Sequence, residues 1–250
     1  MRPVVLALVA GIAACGSSQK PAAEEPKISS KPTTRTIVED DSEPTEGVTV
    51  VNQRGRMNVS DIEKGLAPHT QSLTDCYMSR VGKRRWLGGQ VEIHWDISKD
   101  GEITAVKLAS SDLGAWPIEK CVLGVAKAIS FGAPRGNKPA RVTAPLSFSA
   151  GTGAVRWDEE AAAKAIGGRL VKLAPCASRE PAPTDVTITI YLGTRGKVET
   201  VGFASPRGFG EAWADCAEKT ILAWSLTDPR GKVAKLSITF NPSGDDDRDL

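Results

Sequence analysis

The sequence predicts an α+β fold made of two tandem α-β-β-α-β units, each a three-stranded, mainly antiparallel sheet with two helices on one face. Three observations carry this reading. The chain repeats itself: Val91, Ile93, Trp95 and Ile97 fall on Val186, Ile188, Ile190 and Leu192, each 95 residues on, and Cys121 falls on Cys216 without a gap. Inside each copy, apolar and polar residues alternate on either side of a glycine turn, which is the pattern of a half-buried hairpin. Flanking the hairpin are stretches with apolar residues at helical spacing, and each holds one cysteine.

In order, residues 1–14 read as a signal sequence, 15–46 as a tether, 47–150 as the first unit, 151–242 as the second and 243–250 as an acidic, disordered tail. The first helix of copy one carries Ile62, Leu66, His69, Leu73 and Cys76 on one face. Ser60 and Glu63 form a capping-box pattern before it, and Pro68 should kink it. Copy two repeats the stripe as Ala162, Ile166, Leu173 and Cys176, interrupted by Gly167 and Gly168. Asp100-Gly101 marks the hairpin turn. On the return strand Ile103 and Val106 break the two-residue period, and Val198 and Val201 break it identically, so both copies should share a β-bulge. Pro117 suits the first turn of the second helix, where Ile118, Cys121, Val125 and Ile129 are expected to face inward. Val142, Ala144, Leu146 and Phe148 form the last strand of copy one; Ala234, Leu236, Ile238 and Phe240 form that of copy two. Cys76 meets Cys176 at an offset of 100 and Phe148 meets Phe240 at 92, so the length changes fall in loops.

Each cysteine pair joins the two helices of its own copy, predicting Cys76–Cys121 and Cys176–Cys216. Units of this size bury modest cores, and a bridge closing a loop of about 45 residues stabilises by about 4 kcal/mol in the chain-entropy model.

The N-terminus predicts an exported chain, in which disulfides persist. Arg2 is followed by an apolar run from Val4 to Ala14, too short to span a bilayer and suited to a secretory signal. The run ends in "IAAC", which resembles the bacterial lipobox. That resemblance implies cleavage before Cys15 and acylation of its thiol, and Gly16 in place of aspartate leans towards the outer membrane. The expected location is periplasmic and lipid-anchored. Residues 16–46 hold four Lys/Arg against seven Asp/Glu, with Pro, Ser and Thr and almost nothing to bury, and so read as disordered.

"VSDIEKGLAPHTQSLTDCYMSR", "GGQVEIHWDISKDGEITAVKLASSDLG" and "IEKCVLGVAKAISFGAP" together resemble the AgmX/PglI-type C-terminal domain of myxobacterial envelope and motility proteins, itself similar to the TonB C-terminal domain. The likeness includes the Cys76-Tyr77 pair. Copy two departs from it with Ala177 in place of the tyrosine. The resemblance implies a non-enzymatic module that contacts envelope proteins by adding a partner strand to its sheet.

No pattern of catalysis stands against this. His69 and His94 lack a nearby nucleophile pattern, no glycine loop for phosphate is complete, and no C-x-x-C suggests zinc. No cofactor, metal or small-molecule substrate is expected. The first unit carries fourteen Lys/Arg against nine Asp/Glu, too small an excess for a nucleic-acid footprint. Two surfaces are candidates for partner binding. Lys83, Arg84, Arg85 and Trp86 lie in a loop that copy two shortens and would suit an anionic partner; the alternative function is accordingly a lipoprotein that binds cell wall or anionic polymer. The other is Leu236, Ser237 and Ile238: the last strand of copy one contains Pro145, which blunts an edge, whereas the aligned Ser237 keeps its N–H.

Overall fold

The computed structural model describes residues 55–178, 180 and 183–242, together with three two-residue strands, β1 (Ile28–Ser29), β2 (Thr34–Arg35) and β3 (Val48–Thr49). The expected signal sequence, Cys15, most of the tether and the acidic tail lie outside the described residues. The remaining elements repeat in order. The first unit runs α1 (Val59–Leu66), a 3-10 turn (Ala67–His69), α2 (Thr70–Val81), β4 (Gly89–Ile97), β5 (Ile103–Ser111), α3 (Trp116–Lys127) and β6 (Ala140–Phe148). The second runs β7 (Val155–Arg156), α4 (Glu159–Ile166), a 3-10 segment (Gly167–Ser178), β8 (Val186–Leu192), β9 (Val198–Ala204), α5 (Glu211–Leu222) and β10 (Ala234–Phe240).

The α+β class is as expected. The sheets have the orders β1-β6-β4-β5 and β7-β10-β8-β9. Three antiparallel strands form the body of each, and a two-residue strand extends its outer side, antiparallel on β6 and parallel on β10. Both disulfides are present, Cys76–Cys121 and Cys176–Cys216, each with Cα atoms 5.6 Å apart. The shared bulge is present too. Asp96 pairs with Ala105 but Ile97 with Ile103, leaving Thr104 extra; Tyr191 pairs with Thr200 but Leu192 with Val198, leaving Glu199 extra. Thr104 and Glu199 are equivalent positions in the repeat.

Three local expectations are corrected. The first helix starts before Ser60, with Asn58 at its N-cap, so Ser60 and Glu63 do not form the capping box; Asn58 instead donates to Asp61 at 3.0 Å. In copy two the helix ends at Ile166, and Gly167–Ser178, containing Pro175, is 3-10, because paired glycines and a proline weaken i to i−4 bonding. In α3 the deeply buried side is Ile118, Glu119, Val122, Leu123 and Ala126, while Cys121 and Val125 are half-buried. The reason is packing on two sides: α3 lies on its own sheet, where Trp95 Nε1 donates to Ala126 O at 2.9 Å, and also against β9 of the second unit.

The buried apolar residues of both units form one contiguous core. Trp116 sits at the join, its ring 5.9 Å from that of Phe203 and 5.7 Å from that of Phe209. The two α-β-β-α-β halves thus share one core. No helix among the described residues is long and apolar enough to cross a membrane.

Candidate partner-binding surfaces

Whether a strand edge can accept another chain depends on which residues turn their N–H and C=O outward, and this alternates along a strand. On β10, Val155 N–H donates to Val233 O and Trp157 N–H to Lys235 O, both at 2.9 Å, so the odd-numbered residues face outward. Ser237 and Thr239 continue that series, whereas Leu236 and Ile238 turn their main chain to β8. Pairing with β7 stops at Lys235, and no strand among the described residues lies alongside Ser237–Phe240. This stretch, "SITF", has no charge and no proline. Its outward positions carry hydroxyls: Ser237 Oγ bonds Thr189 Oγ1 at 2.9 Å, and Thr239 Oγ1 bonds Thr187 Oγ1 at 2.8 Å.

The matching edge of the first unit differs. Asp112 N–H donates to Gln90 O, so even-numbered residues of β4 face β5 and Pro145, opposite Glu92, faces outward without an N–H. The next outward residue, Ser147, is already paired with Ser29 of β1. The inner edges of the two sheets face one another, with Ser205 N–H donating to Leu108 O at 2.9 Å.

The basic turn follows α2. Lys83, Arg84 and Arg85 are exposed, and Trp86 is half-buried with its ring 4.8 Å from that of Tyr191 in the second unit. The turn is held in place: Arg84 N–H donates to Val81 O, Leu87 N–H to Arg84 O and Thr152 N–H to Arg85 O. Tyr77, stacked on Phe148, donates its hydroxyl to Leu87 O at 2.8 Å. The turn adjoins the start of β10: Trp86 packs on Tyr191, which pairs with Lys235, two residues before Ser237.

Sequence reasoning missed the seam between the units. Glu119, fully buried, receives Ser111 Oγ at 2.6 Å and the Phe203 N–H of edge strand β9 at 2.9 Å, with Gly114 and Ala115 N–H also directed at it. Gly202 makes this approach possible, since a Cβ there would collide with the Glu119 carboxylate. Burial raises the Glu119 carboxyl from its ordinary 4.5 to about 7, against the pull of these donors. Asp112 bonds Lys235 Nζ at 3.0 Å and Arg156 at 2.9 Å; Lys235 is almost fully buried, also donates to Gly88 O and lies 5.4 Å from the Tyr191 ring centre. Burial pushes the Lys235 ammonium down and the Tyr191 phenol up to about 12. Asp215 accepts from Trp116 Nε1 and from Lys120. One signal was available: Glu119 stands on the inward side of "WPIEKCV", between Ile118 and Val122.

His94 bonds Glu92 at 2.9 Å on the outer face of β4, and His69 lies in the 3-10 turn, so the structure does not bring the two histidines into one site. No group of three metal-ligating side chains clusters among the described residues. Comparison with family models, with curated proteins and with solved structures gave no match.

Proposed function

We propose that this chain is a non-enzymatic lipoprotein of the cell envelope, periplasmic and anchored through Cys15, that holds an extended segment of another envelope protein along the outer edge of β10. One observation carries the reading: Ser237 and Thr239 present outward main-chain groups on an uncharged, proline-free edge with no strand beside it among the described residues. Long edges of this kind are usually blunted or covered, as Pro145 and β1 do on the first unit. An edge with no strand beside it among the described residues suits strand addition, where main-chain bonds supply affinity and alternate side chains supply selectivity. The signal-like N-terminus and its "IAAC" motif support the anchor, and the resemblance to envelope interaction modules supports the class of partner.

The test is photocrosslinking in the producing cells from a reactive residue placed at Thr239, compared with one at Arg141, which is exposed on the β6 edge and leaves Pro145 in place. A specific adduct from position 239, lost in the Ser237→Pro background and absent from position 141, is expected. Adducts of equal yield from both positions, or an adduct that survives Ser237→Pro, would overturn the assignment.

A further inference from the structure

We infer that Lys83, Arg84 and Arg85 form a foot that rests on the anionic phospholipid headgroups of the membrane to which the chain is anchored; the inference builds on the lipoprotein reading. The three cations are consecutive, exposed and joined by no ion pair to an acidic side chain among the described residues. Arg80, also exposed, adds a fourth charge one helical turn away. The backbone bonds of the turn, the Tyr77 hydroxyl on Leu87 O and Trp86 against Tyr191 fix the backbone that carries these side chains, so little order is lost when they meet a surface.

The position of the N-terminal strand identifies that surface. Strand β1 pairs antiparallel with the end of β6, Ile28 opposite Phe148 and Ser29 opposite Ser147. Its polarity places Ile28 towards Ser149. Phe148 is in turn opposite Gly89, and Thr152 N–H reaches Arg85 O, so β1 and the basic turn share one end of the first sheet. Cys15 precedes Ile28 by 13 residues, which limits their separation to about 45 Å at most. An acyl group on Cys15 would attach the molecule to the membrane through the end of the sheet that carries the basic turn, which is attracted once it comes within about 10 Å of the charged surface. At the opposite end of the sheet, beside the β4–β5 turn, Arg56, Arg135 and Lys138 are equally exposed but lie a whole strand length further away.

The full chain is measured by flotation with vesicles of phosphatidylcholine alone and with vesicles that also contain phosphatidylglycerol. Three proteins are compared: unaltered, Lys83→Ala/Arg84→Ala/Arg85→Ala, and Arg56→Ala/Arg135→Ala/Lys138→Ala as a control of equal charge loss. Retention on neutral vesicles reports the anchor and is expected to be equal for all three, so failure of the anchor is read separately. The added affinity for anionic vesicles should fall about fivefold per residue in the 83–85 variant, on the order of 100-fold in total at low salt, and stay near that of the unaltered protein in the control. The inference is overturned if the unaltered protein does not distinguish the vesicles, if both variants lose affinity alike, or if the 83–85 variant loses retention by isolated cell wall but none by anionic lipid.

Discussion

Replacing Glu119 with glutamine should make the protein's stability less sensitive to pH between about 4.5 and 7. In the folded chain the Glu119 carboxyl is raised to about 7, from 4.5, because burial outweighs four hydrogen-bond donors. A raised carboxyl binds its proton more tightly in the folded than in the unfolded state. Its contribution is therefore complete below the unfolded value and is lost as pH rises through the folded one. The difference corresponds to about 3 kcal/mol between pH 4.5 and pH 8 at 1.36 kcal/mol per unit. Below this window Asp96, Asp112 and Asp215 act in the opposite sense. Burial works to raise each of them, but their cationic partners and donors hold them below the ordinary range, so their stabilisation is lost only at lower pH. The amide of glutamine keeps the neutral shape of the protonated acid. Urea unfolding with disulfides intact, at pH 5, 7 and 8, gives the assay. The unaltered protein should weaken across the series and Glu119→Gln should weaken less, by about 3 kcal/mol at the upper end. Parallel curves for the two proteins would refute the reasoning, since no other group differs between them.

Other perturbations follow from the same seam and staples. Gly202→Ala places a methyl group against the Glu119 carboxylate and should cost about 1–3 kcal/mol, read as a shift in the urea midpoint at unchanged slope. Asp112→Ala leaves Lys235 buried without its carboxylate and should cost about 3–5 kcal/mol; Lys235→Met, which removes the buried charge itself, should cost much less in the same assay. Breaking Cys176–Cys216 by paired serines releases a loop of 40 residues and should cost about 4 kcal/mol, with Cys76–Cys121 still mapping as a disulfide in the unreduced peptide digest.

The parts of this fold that were legible are those whose physics is local or repeated. The bulge was readable because Ile103/Val106 and Val198/Val201 break the strand period at the same place in two copies, which chance spacing would not do. The contrast between Pro145 and Ser237 was readable because a missing N–H is a property of the residue itself, and the alternation then places both on the outer side of their strands. The seam was not legible. Periodicity reveals that a helix has an apolar side, not that a second unit will cover another side, so the α3 stripe was placed on Cys121 and Val125 while Trp116 and Glu119 carry the contact between units. Lys235 reads as a solvent-facing strand position and is buried where Gly88 and Asp112 of the first unit meet it. Strand β1 carried no signal either, since two residues within a Pro-, Ser- and Lys-rich tract have no period.

The most direct test of the account is amide hydrogen exchange along β10, first in the free chain and then with the crosslinked partner's extended segment bound. Ser237 and Thr239 should exchange fast when free and become protected on binding, while Leu236 and Ile238, bonded to β8, stay slow in both states. Protection of Ser237 and Thr239 in the free chain, or none gained with the segment bound, would contradict it.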